Sequence, residues 1–85
     1  MIIRLPPVDP QALRLGRRLR ALREGRGVST SVLAQRIGVG TVQLSLSERG
    51  RARLRSGELY RASQVLQAPM RLLFDEEVSA QAQPG

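Results

Sequence analysis

Apolar residues recur with a helical period over most of the chain. Ala12, Leu15, Gly16, Leu19 and Leu22 share one face at about 100° per residue, with Arg14, Arg17 and Arg18 opposite. Asp9-Pro10 opens this helix, Asp9 as N-cap and Pro10 at the first helical position, and Gly25 and Gly27 end it near Arg26. Ser29 caps a short second helix over Thr30 to Arg36, whose apolar positions are Val32, Leu33, Ala34 and Ile37. Gly38-Val39-Gly40 is a tight turn, with Val39 plugging the space between the helices on either side. A third helix spans Thr41 to Arg49 and closes on Gly50. After a basic loop from Arg51 to Arg55, Ser56 caps a fourth helix over Gly57 to Gln67, which presents Leu59, Ala62 and Leu66; Ala68-Pro69 breaks it. The predicted core is Leu15, Leu19, Leu22, Leu33, Ile37, Val39, Leu44, Leu59 and Leu66.

The flanks read differently. Residues 1–8 form an extended arm, because Pro6-Pro7 blocks helix and Ile2, Ile3 and Leu5 favour strand. Beyond the break, Met70, Leu72 and Phe74 alternate with Arg71 and Leu73. Periodicity alone does not decide between helix and strand there. Residues 79–85 are a polar tail expected to be disordered. The domain organisation is therefore an arm (1–8), one helical domain (9–78) with a dimerisation segment at 69–78, and a tail (79–85).

Composition narrows the function. The chain has 85 residues and a net charge of +7, and all 14 of its basic residues are arginine. A domain this small hides only roughly 60% of the surface its unfolded chain exposes, which makes pairing a reasonable source of stability. The positive charge favours a polyanionic partner. With no cysteine and no histidine, disulfides, thiolate chemistry, the usual zinc ligands and the commonest general base are all missing. No catalytic spacing remains among the carboxylates and hydroxyls, so no catalytic or metal-binding residue, cofactor or enzymatic activity is expected. The N-terminal apolar run is too short for a signal peptide or spanning helix, and a cytoplasmic location is expected.

The two short helices around Gly38-Val39-Gly40 resemble a known family. In order and spacing, Leu19-Arg20-Ala21-Leu22-Arg23, Val28-Ser29, Leu33-Ala34, Ile37-Gly38-Val39, Leu44-Ser45 and Glu48-Arg49-Gly50 look like the Cro/CI-type, or XRE-like, helix-turn-helix repressors. The match runs from about Leu15 to Leu66. It implies an all-α, four- to five-helix, lambda-repressor-like domain that binds double-stranded DNA as a dimer on a palindrome. In that family the helix at Thr41 to Arg49 enters the major groove. Leu44, Ser47 and Glu48 then point inward. Val42, Ser45, Leu46 and Arg49 point outward, with Thr41 and Gln43 on the flanks.

On this reading Val42 and Leu46 meet thymine methyls, while Gln43 or Thr41 bonds base edges. Thr30 reaches a phosphate, and Arg49, Arg51, Arg53 and Arg55 clamp the backbone and set register. The resemblance further implies an internal ion pair between Arg23 and Glu48, each costly to bury alone. Three positions depart from the family pattern: Thr30 where many members carry Gln, Gly40 where Ser or Thr is usual, and Ser47 where a large apolar residue is usual. They bear on the operator sequence more than on the fold.

A narrower likeness concerns the ends of the helical core. Asp9-Pro10, and Leu66-Gln67-Ala68-Pro69 followed by Met70 to Phe74, resemble antitoxins of the HipB type, in which that last segment is a strand paired with its twofold mate. Such a branch would add a toxin protein as a partner. In either branch Met70, Leu72 and Phe74 are the expected homodimer contact, strand pairing being preferred to helix packing, with the 2–5 arm adding to the same sheet and Asp75, Glu76 and Glu77 marking its end. Three other readings compete. A single-strand binder would need more stacking aromatics than Tyr60 and Phe74. A membrane-surface helix over Leu13 to Arg26 would leave Gly38 to Gly50 unexplained. A protein-interaction module on a degenerate helix-turn-helix is the main alternative, carried by Thr30, Val42 and Leu46.

Overall fold

The computed structural model describes residues 7–74. It contains five helices in order: α1 (Pro10–Gly25), α2 (Thr30–Ile37), α3 (Thr41–Glu48), α4 (Ser56–Val65) and α5 (Arg71–Phe74). Among the described residues there is no strand, and no helix is long and apolar enough to cross a membrane.

The helix ends follow local chemistry. The Asp9 carboxylate accepts from the Gln11 N–H at 3.3 Å, and Pro10 at the first position gives up no needed donor. The Ser29 hydroxyl accepts from the Val32 N–H at 3.1 Å. Between α2 and α3, Gly38 adopts φ +83°, a left-handed conformation that a side chain rarely tolerates, and Val39 N–H folds back onto the Ala34 carbonyl at 3.0 Å. One expected cap is displaced. Ser56 is already helical, and Arg55 is the N-cap, its backbone N–H donating to the Glu58 side chain at 2.8 Å. Glu58, three residues on, satisfies the donor that fixes the start of α4, so the cap moves one residue upstream.

Two arginines hold helix C-termini from a distance. Arg26 Nε donates to the Leu66 carbonyl at 2.7 Å, at the end of α4, and Arg61 donates twice to the Ile37 carbonyl, at 3.1 and 2.9 Å, at the end of α2. Each places a cation at the negative end of a helix and satisfies a carbonyl that has no intrahelical partner.

The core lies where α1 packs on α3 and α5, and α2 on α3 and α4. Leu19, Leu33, Ile37, Leu44, Leu66 and Leu73 are its largest fully buried side chains, with Leu59 beside them. Leu15, Leu22 and Val39 are only partly buried and pack against this cluster from outside. α1 crosses the end of α3 at Gly16.

The C-terminal segment overturns the strand expectation. Met70 to Phe74 turns helical, with Leu72 N–H on the Pro69 carbonyl and Leu73 N–H on the Met70 carbonyl, each at 2.9 Å. The reason lies in the packing: Leu73 is 2% exposed and Met70 packs on the same cluster, a spacing of three that a helix supplies and a strand does not. The alternation of Met70, Leu72 and Phe74 is thus not a sheet face. Leu72 and Phe74 stay exposed, and the strand that carried the HipB-type likeness is not formed here. The expected 2–5 arm, the acidic end at Asp75 to Glu77 and the 79–85 tail lie outside the described residues.

Candidate nucleic-acid interface

α3 divides sharply into two faces. Leu44, Ser47 and Glu48 are buried, whereas Thr41, Val42, Gln43 and Arg49 are exposed and Ser45 and Leu46 half-buried. Ser47, polar yet 5% exposed, donates its hydroxyl to the Gln43 carbonyl one turn back at 2.9 Å, so it enters the interior with its donor satisfied. Val42 is 73% exposed, far more than any other large apolar residue described. An aliphatic side chain standing in water on an otherwise ordered helix marks a surface that meets something else.

The inner face is fixed by a buried ion pair. Arg23 Nε and Nη2 donate to the two carboxylate oxygens of Glu48 at 2.7 and 3.0 Å, and Nη1 donates to the Val28 carbonyl at 2.9 Å. One guanidinium thereby joins α1, the turn before α2 and the C-terminal end of α3. The hydrogen bond to Glu48 raises the Arg23 pKa against the opposing effect of desolvation, so the guanidinium stays charged. A planar fork on a planar carboxylate fixes angle as well as distance, and it sets how α3 is presented.

The candidate contact residues fall into separate groups. Thr30 at the start of α2, Ser45 on α3, Arg49 just past the end of α3, and Arg20 on α1 line a polar cleft of about 150 Å³ over the Arg23–Glu48 pair. Arg20 is exposed and holds Glu24 at 3.0 Å. Sequence reasoning passed over it, although it stands one turn before Arg23, whose side chain must reach α3. Arg53 lies elsewhere. It donates to the carboxylate of Asp9 and lines a larger cleft of about 430 Å³ together with Leu15, Leu54, Leu59, Leu73 and Phe74. Arg51 is half-buried in the loop, and Arg55 is exposed at the start of α4.

These features define the class: two short helices joined at a left-handed glycine, the second presenting an outer face locked from within. The family model described as Helix-turn-helix domain matches residues 14–75, and the chain belongs to that family. Similar solved structures are Cro/CI-type regulators. The clp gene regulator ClgR from Corynebacterium glutamicum is 30% identical with a TM-score of 0.76, over 89% of this chain and 81% of that one. The restriction-modification controller protein C.AhdI from Aeromonas hydrophila is 27% identical with a TM-score of 0.73, over 78% of this chain and 100% of that one. The P22 c2 repressor, solved in complex with a synthetic operator, is 28% identical with a TM-score of 0.66, over 72% of this chain and 92% of that one. Among curated proteins there is no significant match.

Proposed function

We propose that this protein is a cytoplasmic, sequence-specific repressor that binds a palindromic operator as a homodimer and regulates its own transcription unit. α3 lies in the major groove. Thr41, Val42, Gln43, Ser45 and Leu46 face base edges, while Thr30, Arg49, Arg51, Arg53 and Arg55 face phosphates. The observation that carries this reading is the outer face of α3. It combines an exposed aliphatic residue with short polar side chains and a terminal arginine, on a helix whose angle is fixed by Arg23 and Glu48. The polar cleft that gathers Thr30, Ser45, Arg49 and Arg20 supports a backbone contact beside that helix.

A single motif reads few base pairs, so useful specificity calls for a twofold pair. Leu72 and Phe74, 39% and 49% exposed on α5, are the surface proposed for that pairing by helix packing, Phe74 at the edge of the larger cleft. Met70 contributes less, since it already packs on its own core.

Selection of bound duplexes from a random pool tests the reading. An enriched inverted repeat with half-sites about one helical turn apart is expected. A pool that stays random at physiological salt would overturn it. It would favour the competing reading, a protein-interaction module, for which the exposure of Val42 also speaks.

A further inference from the structure

The outer face of α3 carries no carboxylate. The one carboxylate of α3, Glu48, lies on the inner face and is consumed by Arg23. What remains around Val42 is the hydroxyl of Thr41, the amide of Gln43 and the hydroxyl of Ser45. Every one of these groups both donates and accepts. In the major groove thymine presents an acceptor at O4, whereas cytosine presents a donor at N4. A carboxylate would demand the cytosine amine, but donor–acceptor groups tolerate either edge. The pyrimidine feature left for this face to distinguish is the methyl group at C5.

Val42 suits that task. It stands at the second position of α3, in the N-terminal turn that contacts base edges in this docking geometry. Its branched side chain is stiff and loses little freedom on contact. Leu46 lies one turn further on the same stripe, at neighbour spacing, and extends the apolar strip.

We infer that this protein reads the C5 methyl of pyrimidines, so that 5-methylcytosine substitutes for thymine at the position facing Val42 and cytosine methylation of its site strengthens binding. The inference rests on the reading that α3 lies in the major groove. It adds a chemical class of ligand, methylated duplex DNA, and a mode of regulation, since a methylated and an unmethylated copy of one site would be occupied differently.

The experiment uses the full chain and the duplex enriched from a random pool. At each pyrimidine position in turn, thymine, uracil, cytosine and 5-methylcytosine are compared by competition at fixed salt. At the Val42 position thymine is expected to exceed uracil, and 5-methylcytosine to exceed cytosine, each by about fourfold per half-site, the value of one buried methyl group. Val42→Ala should bring both ratios near one while its thermal midpoint stays with the parent, because the side chain is exposed. Val42→Thr, which keeps the shape, should lower the ratios part way. Thymine and uracil bound alike at every position, or ratios unchanged in Val42→Ala, would overturn the methyl inference and leave DNA binding intact. A chain that enriches no duplex would overturn the DNA-binding reading itself.

Discussion

Gly16 of α1 crosses Ser47 of α3 so closely that a Cβ on Gly16 would stand 2.3 Å from the Ser47 carbonyl oxygen and 2.7 Å from that of Glu48. Both obstacles are backbone and cannot swing aside. Gly16→Ala should therefore push α3 off α1, costing about 1–3 kcal/mol, and weaken DNA binding beyond what the stability loss explains. Gly25, the last residue of the same helix, is the control: a Cβ there meets nothing within 4 Å. Gly25→Ala should stabilise by up to about 1 kcal/mol through helix propensity. Urea unfolding of both variants checks the pair of opposite signs.

The Arg23–Glu48 bridge predicts an asymmetry. Glu48→Ala leaves a guanidinium buried without its partner and should cost about 3–5 kcal/mol. Replacing both residues by apolar side chains of similar volume should recover most of that loss, because the desolvation penalty disappears along with the attraction. The double variant should nonetheless bind DNA less well, since packing alone does not fix the angle of α3. Chemical denaturation and DNA titration on the two variants separate these effects. A Glu48→Ala protein as stable as the parent would contradict the account.

Leu73 and Leu72, adjacent in sequence, should behave oppositely. Leu73→Ala removes a fully buried side chain and should cost about 2–5 kcal/mol in the folded unit. Leu72→Ala should leave the fold nearly unchanged but weaken self-association, read by sedimentation across a concentration series. Equal effects of the two on unfolding would contradict the burial of Leu73 and the exposure of Leu72.

Much of the fold was legible because its signals are local. Asp9, Ser29 and Gly38 act through their own backbone neighbours, and Leu19, Leu33, Ile37 and Leu44 follow the helical period. Residues 70–74 were not legible in this way. Four residues of α5 are too short for a period to show, and the choice falls to the core packing that takes Leu73 where α5 meets α1. The same limit applies to the site. The outward stripe of α3 follows from its wheel, whereas the Arg20 cleft and the Arg53–Asp9 pair depend on residues brought together from distant parts of the chain.

That last pair sets another expectation. Arg53 is 66% exposed and held by Asp9, an interaction worth no more than about 1 kcal/mol at a surface. A phosphate should therefore draw Arg53 away. Arg53→Ala should flatten the dependence of log affinity on log salt by about one unit. Asp9→Asn keeps a capping side chain but removes a negative charge, so it should tighten binding to all duplexes alike without loss of stability. An unchanged slope in Arg53→Ala would show that the arginine stays with Asp9 in the complex.

The central claim, that α3 is the element that reads sequence, is tested most directly by repeating the random-pool selection with Gln43→Ala. The account predicts a changed preference at one base pair in each half-site, by about 1–3 kcal/mol, with every other position retained. An unaltered consensus bound more weakly throughout would assign Gln43 to the backbone and contradict it.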